Sequence, residues 1–179
     1  MNGHLDITQP FPNWYAVYTR YRAEFTVKRE LTNKGVSTYL PTINSQRKWK
    51  DRKKWILMPI FPSYLFVNVI SAFDNFAKVA NTRGVVKLLG PSEKKPTPVS
   101  DEEIHGLMRF VENYSEITVY PHLKIGKRVR IKRGPMEGFE GVLERKPDYK
   151  KKECWLFIRI ELLGRSVGTK IDAESIETL

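Results

Sequence analysis

Cysteine is nearly missing from this chain of 179 residues. The one present, Cys154, can form no intrachain disulfide and no cysteine-rich zinc site. Histidine is scarce as well. His4, His105 and His122 stand far apart, and none has the spacing of a metal-ligand set. No apolar run approaches the roughly 20 residues of a membrane-spanning helix. The opening stretch MNGHLDITQPFPNW has no charged-then-apolar leader pattern. A cytoplasmic location is the expectation, with no membrane partner. Paired carboxylates and a histidine near a candidate nucleophile are also wanting, so no catalytic set emerges. A binding protein is expected, not an enzyme, holding neither a metal nor another cofactor.

Acidic residues are the next shortage: 20 Asp and Glu face 31 Lys and Arg, a net charge of +11. Such a balance favours nucleic acid, or a machine built on it, as partner. Solubility is the plainer use of the same charge. Hydrophobic residues at 41% and aromatics at 12% suffice for a packed core. The length fits one ordinary domain or two small ones.

WYAVYT (14–19) is aromatic and β-branched, as a buried strand requires. In RAEFTVKRELTNKG, Ala23, Val27 and Leu31 recur every fourth residue along one helix face, and Gly35 is placed to end the helix. Arg22, Thr26, Arg29 and Asn33 fall on a narrow polar stripe of the same helix. VSTYLP (36–41) is a second strand. Six of the residues from Arg47 to Lys54 are basic, with Trp49 and Trp55 flanking the run. Charge of that density cannot be buried, so a strand–turn–strand excursion is expected. FPSYLFVNV (61–69) is a strong strand. A short helix follows with Phe73, Phe76, Ala77 and Ala80 as its apolar stripe, then the strand VVKLLG. Ser100 and Glu103 form a capping box for a helix whose stripe is Ile104, Leu107, Met108 and Val111. Strands and helices so ordered predict an α+β sandwich. Residues 115–122 read as a connector. Beyond them, five short strands without helical period predict a small barrel.

The glycines of GPMEGFEG lack the Gly-Lys-Ser/Thr ending of a phosphate loop. A tight turn between strands fits better, with Gly134, Gly138 and Gly141 where φ is positive or a side chain would clash. In context, IGKRVRIKRGPMEGFEGVLERK resembles a KOW motif, shared by some ribosomal proteins and by NusG-type elongation factors. The first half separates these. WYAVYT, YLP, FPSYLFV, NTRGVVKLLG and PVSDEEIHGLM resemble, in order, the landmarks of the NusG N-terminal domain, and FPSYLFV and TRGV resemble the specialised RfaH and UpxY antiterminator branch. The resemblance runs from about Trp14 to the end. It implies a NusG-like α/β sandwich over 1–114, a linker over 115–122, and an SH3-like KOW barrel over 123–179.

The same resemblance implies a function. The first domain would ride on RNA polymerase, the barrel would recruit a small-subunit ribosomal protein, and pausing or termination would be suppressed at particular operons. A factor that clamps another protein needs an apolar patch, and Trp14, Tyr18, Phe61, Tyr64 and Phe66 are the aromatic supply. Some of these must be core, because strand residues alternate faces. By motif position Tyr18, Tyr64 and Phe66 match the depression that takes the polymerase clamp helices, with Phe61 beside them. Contacts to the non-template DNA strand would come from Arg20, Arg22, Arg29, Asn33 and Arg83. Two alternatives stay open: a housekeeping NusG working with Rho, and a KOW-containing ribosomal or RNA-binding protein.

Overall fold

The structure is a computed structural model that describes residues 11–48, 53–92, 95–114, 117–121, 127–143 and 153–179. Along the chain run β1 (Pro12–Thr19), α1 (Glu24–Asn33), β2 (Ser37–Tyr39), β3 (Thr42–Lys48), β4 (Lys53–Pro59), β5 (Tyr64–Ile70), α2 (Phe73–Ala80) and β6 (Val85–Leu88). They are followed by β7 (Pro98–Val99), α3 (Asp101–Asn113), β8 (Thr118–Pro121), β9 (Lys127–Ile131), β10 (Glu140–Leu143), β11 (Glu153–Ile160), β12 (Arg165–Asp172) and β13 (Ile176–Thr178). Two compact units result: Met1–Leu40 with Ser63–Pro98, and Pro41–Pro62 with Val99–Leu179.

The first unit is an antiparallel sheet in the order β2-β5-β1-β6. Period-two alternation sends Tyr15 and Val17 of β1, and Leu65, Val67 and Val69 of β5, to one face. There they share a core with Val27 and Leu31 of α1 and Phe76 and Val79 of α2. Helix α1 stops where the sequence has Gly35, whose φ is +74°. The Gly35 N–H donates to the Thr32 carbonyl and the Val36 N–H to the Leu31 carbonyl, which closes the helix end. Lys34 Nζ then donates to Thr82 Oγ1 at 2.7 Å, tying the end of α1 to the end of α2.

In the second unit, β8–β13 make a six-stranded antiparallel sheet in the order β13-β9-β10-β11-β12-β8. The glycines behave as their spacing predicts. Gly134 and Gly138 have φ of +98° and +79°, and a Cβ on Gly141 would lie 2.7 Å from Leu156 Cδ1. Much of the positive charge of KRVRIKRG is matched by acids. Glu140 accepts from Arg128 and Arg130 at 2.7 and 2.8 Å, and Arg133 lies 3.7 Å from both Asp172 and Glu174. Strands β3 and β4 pair with each other as the expected hairpin; Trp55 is exposed on it, and Trp49 lies outside the described residues. The capping box on α3 is present. Gly106 of that helix faces the Phe139 ring, with which a Cβ would collide, and Arg109 donates to the Pro135 carbonyl at 3.2 Å.

Several expectations need correction. Residues 118–121 of the expected connector form β8 and pair with β12, because TVYP has strand chemistry and meets an open strand edge. Residues 41–62 and 99–114 group with the C-terminal residues, so the boundary does not fall simply at 114. Phe73 is 66% exposed, and α2 buries Phe76 and Val79 instead. Helix α3 buries Phe110 with Ile104 and Leu107, while Met108 and Val111 are half-buried.

Candidate functional site

The face of the first sheet turned away from α1 and α2 is aromatic. Trp14, Ala16 and Tyr18 of β1 point there, with Tyr64 and Phe66 of β5 and Tyr39 of β2. Tyr18 stands opposite Tyr64 in register, their rings 5.2 Å apart, and Tyr39 lies opposite Phe66 with rings stacked at 6.4 Å. Trp14 meets the Tyr39 ring edge-on at 6.5 Å. Of the four residues expected at an apolar docking face, Phe61 and Phe66 are fully buried and act as packing, whereas Tyr18 and Tyr64 are half-buried.

One buried carboxylate sets this end of the sheet. Glu24, 4% exposed, opens α1, and its Oε1 accepts the Ser63 N–H at 2.6 Å. The Ser63 carbonyl in turn accepts the Thr19 N–H at 2.9 Å, and Ser63 has a φ of +67°. The segment before Tyr64 is thereby fixed to both β1 and α1. Neither Glu24 nor Ser63 stood out in the sequence, because their contact spans residues far apart along the chain.

The basic candidates divide into two groups. Arg20 donates its backbone N–H to the Gly84 carbonyl at 2.8 Å, which draws the 20–22 segment to the turn holding Arg83. Gly84 is required at this approach: its φ is +94°, and a Cβ would lie 2.9 Å from Val27 Cγ2. Arg20, Arg22 and Arg83 are all exposed around this junction. Arg29 and Asn33 lie farther along α1, one turn apart and exposed, and Arg29 is 3.8 Å from the Glu30 carboxylate. Tyr21, exposed amid the arginines, escaped the sequence reading; its signal was the triplet Arg-Tyr-Arg. Among the described residues no group of His, Cys, Asp or Glu is arranged to hold a metal, and no helix is long and apolar enough to cross a membrane.

Residues 12–108 match the family model for the transcription termination factor NusG, more than half of the chain. The chain belongs to the NusG family. Its aromatic sheet face and its Arg20–Arg83 junction both lie inside the matched span. The transcription termination/antitermination protein NusG of Halalkalibacterium halodurans is 26% identical, covering 93% of this chain and 98% of that one. NusG of Borreliella burgdorferi is 25% identical over the same 93%, again covering 98% of its own length. A solved structure of Thermotoga maritima NusG has a TM-score of 0.57 at 25% identity, covering 94% of this chain and 97% of that one. The NusG likeness therefore extends through the β-rich C-terminal residues as well as the matched first part.

Proposed function

We propose that this NusG-family chain is a transcription elongation factor that rides on RNA polymerase and suppresses pausing or termination, acting at particular operons. The observation that carries it is the aromatic sheet face, where the half-buried Tyr18–Tyr64 pair lies beside the buried Phe66. Aromatic residues with one accessible side and a packed base are the usual anchors of protein docking. The polymerase clamp helices would take this face. Arg20, Arg22 and Arg83, with Arg29 and Asn33 beyond, would meet the non-template DNA strand. The C-terminal sheet is read as a KOW domain that engages a small-subunit ribosomal protein. Its arginines on β9 are already paired with Glu140, so a folded protein surface suits it better than bare phosphate.

Paired transcription templates test the reading. One carries the native leader element of the operon and the other a scrambled version. Selective readthrough on the native leader is expected. Equal activity on both would favour the second reading, a housekeeping NusG that works with Rho. That reading draws support from relatives that align over nearly the whole chain and carry the general name. A ribosomal KOW protein is disfavoured, because the family match lies in residues 12–108, outside the glycine-rich turn.

A further inference from the structure

Tyr21 is 73% exposed and is flanked in sequence by Arg20 and Arg22. The guanidinium carbon of Arg22 lies 5.1 Å from its ring centroid. Arg22 reaches that position from a backbone φ of +60°, which residues with a side chain seldom adopt. One face of the ring thus carries a cation, and the high exposure leaves the other face to solvent. The backbone bond from Arg20 to Gly84 keeps this segment beside the turn that bears Arg83. One guanidinium therefore lies over an exposed aromatic ring, and the exposed Arg20 and Arg83 are carried by the two backbone segments that meet beside it. A π-face accepts any base by stacking, and cations beside it take the phosphates on either side.

We propose that Tyr21 is the stacking platform for one unpaired base of the non-template DNA strand, with Arg22 steadying the ring and Arg20 and Arg83 holding the flanking phosphates. The inference rests on the DNA-contacting role proposed above and adds the group that receives a base. Stacking is tolerant of base identity. Tyr21 would therefore supply affinity and register, and selection among sequences would fall to residues such as Arg29 and Asn33.

The test uses the full chain and polymerase elongation complexes assembled on the leader of its operon. Abasic sites, which keep the phosphate and remove the base, are placed one at a time along the non-template strand. At one position wild-type binding should weaken about 5- to 100-fold, the range of a lost base–aromatic stack. Tyr21→Leu should lose the same factor on the intact strand and nothing more at that abasic position. Tyr21→Phe should bind like wild type, and Arg83→Ala should still weaken binding to the abasic strand. Thermal melting by circular dichroism should be unchanged for Tyr21→Leu, since the ring is exposed. If Tyr21→Leu binds the intact strand normally while an abasic site still weakens binding, the platform is overturned and the DNA role stands. If omitting the non-template strand does not weaken wild-type binding, both fall. If the Tyr21→Leu loss persists without that strand, the ring serves polymerase or RNA and the proposal is overturned.

Discussion

At the scale of single residues, the fate of each candidate follows from burial and backbone geometry. Phe66 is fully buried and Tyr64 half-buried on the same face, so truncating them should have different consequences. Phe66→Ala should cost about 3–5 kcal/mol of folding stability, as core aromatics do. Tyr64→Ala should instead weaken polymerase association by about 1–3 kcal/mol. Chemical denaturation alongside a polymerase pull-down separates the two; an equal loss of folded protein would make Tyr64 packing as well. Arg83→Ala should lower recruitment to the target operon with an unchanged melting curve, because an exposed turn arginine packs little. Its neighbour behaves in the opposite way. Gly84→Ala meets both a positive φ and the Val27 methyl, so a stability loss of about 1–3 kcal/mol is expected in a urea titration.

At the scale of elements, strands β9 and β10 are joined across their register by Glu140. A hydrogen bond from Arg130 holds its carboxyl below the usual range; desolvation opposes this, and the charges of Arg128 and Arg130 add to the lowering. A carboxyl with a depressed folded pKa stabilises the fold above its unfolded value, about 4.3, and loses that contribution as pH falls through the folded one. The stability gap between wild type and Glu140→Gln should therefore be present at neutral pH, shrink in acid below about pH 4, and shrink with added salt, since the pair is exposed. Urea titrations at stepped pH measure it. Helix α3 offers a second case. Gly106→Val should destabilise the protein by crowding the Phe139 ring, and Phe139→Ala should offset part of that loss, so a double-mutant cycle should be non-additive. Elements of this kind were mostly legible in the sequence. WYAVYT and FPSYLFV alternate two-fold around a buried face, and Gly35 announced the end of α1. The faces of α2 and α3 were not legible. LMRFV in α3 puts large apolar residues almost all the way round, so periodicity alone cannot choose Phe110 over Val111. Of the candidate site, the aromatics and Arg83 could be named from motif positions. The bonds from Glu24 to Ser63 and from Arg20 to Gly84 join segments tens of residues apart, and no local pattern encodes them.

At the scale of the whole chain, the aromatic sheet face is built entirely from Met1–Leu40 and Ser63–Pro98, although Phe61 belongs to the other unit. A fragment of residues 1–114 contains all of that face and should still associate with polymerase in a pull-down. Binding confined to the C-terminal strands would reverse the proposed roles. Neither unit is continuous in sequence. The chain leaves the first after Leu40, returns at Ser63 and leaves again after Pro98. During synthesis this imposes an order of events. The first unit has its full complement of residues once Pro98 has been added. The β3–β4 hairpin, already made, groups instead with Val99–Leu179, which the ribosome has yet to deliver in full. At roughly 5–20 residues per second that delay is on the order of 4–16 s. A nascent chain arrested far enough beyond Pro98 for the whole first unit to clear the ribosome should resist trypsin across β1 and β5 while remaining open to cleavage at Lys53 and Lys54. The basic hairpin, whose Lys53, Lys54 and Trp55 stay exposed even in the finished fold, would then be the part of the N-terminal half most available to chaperones as the protein is born.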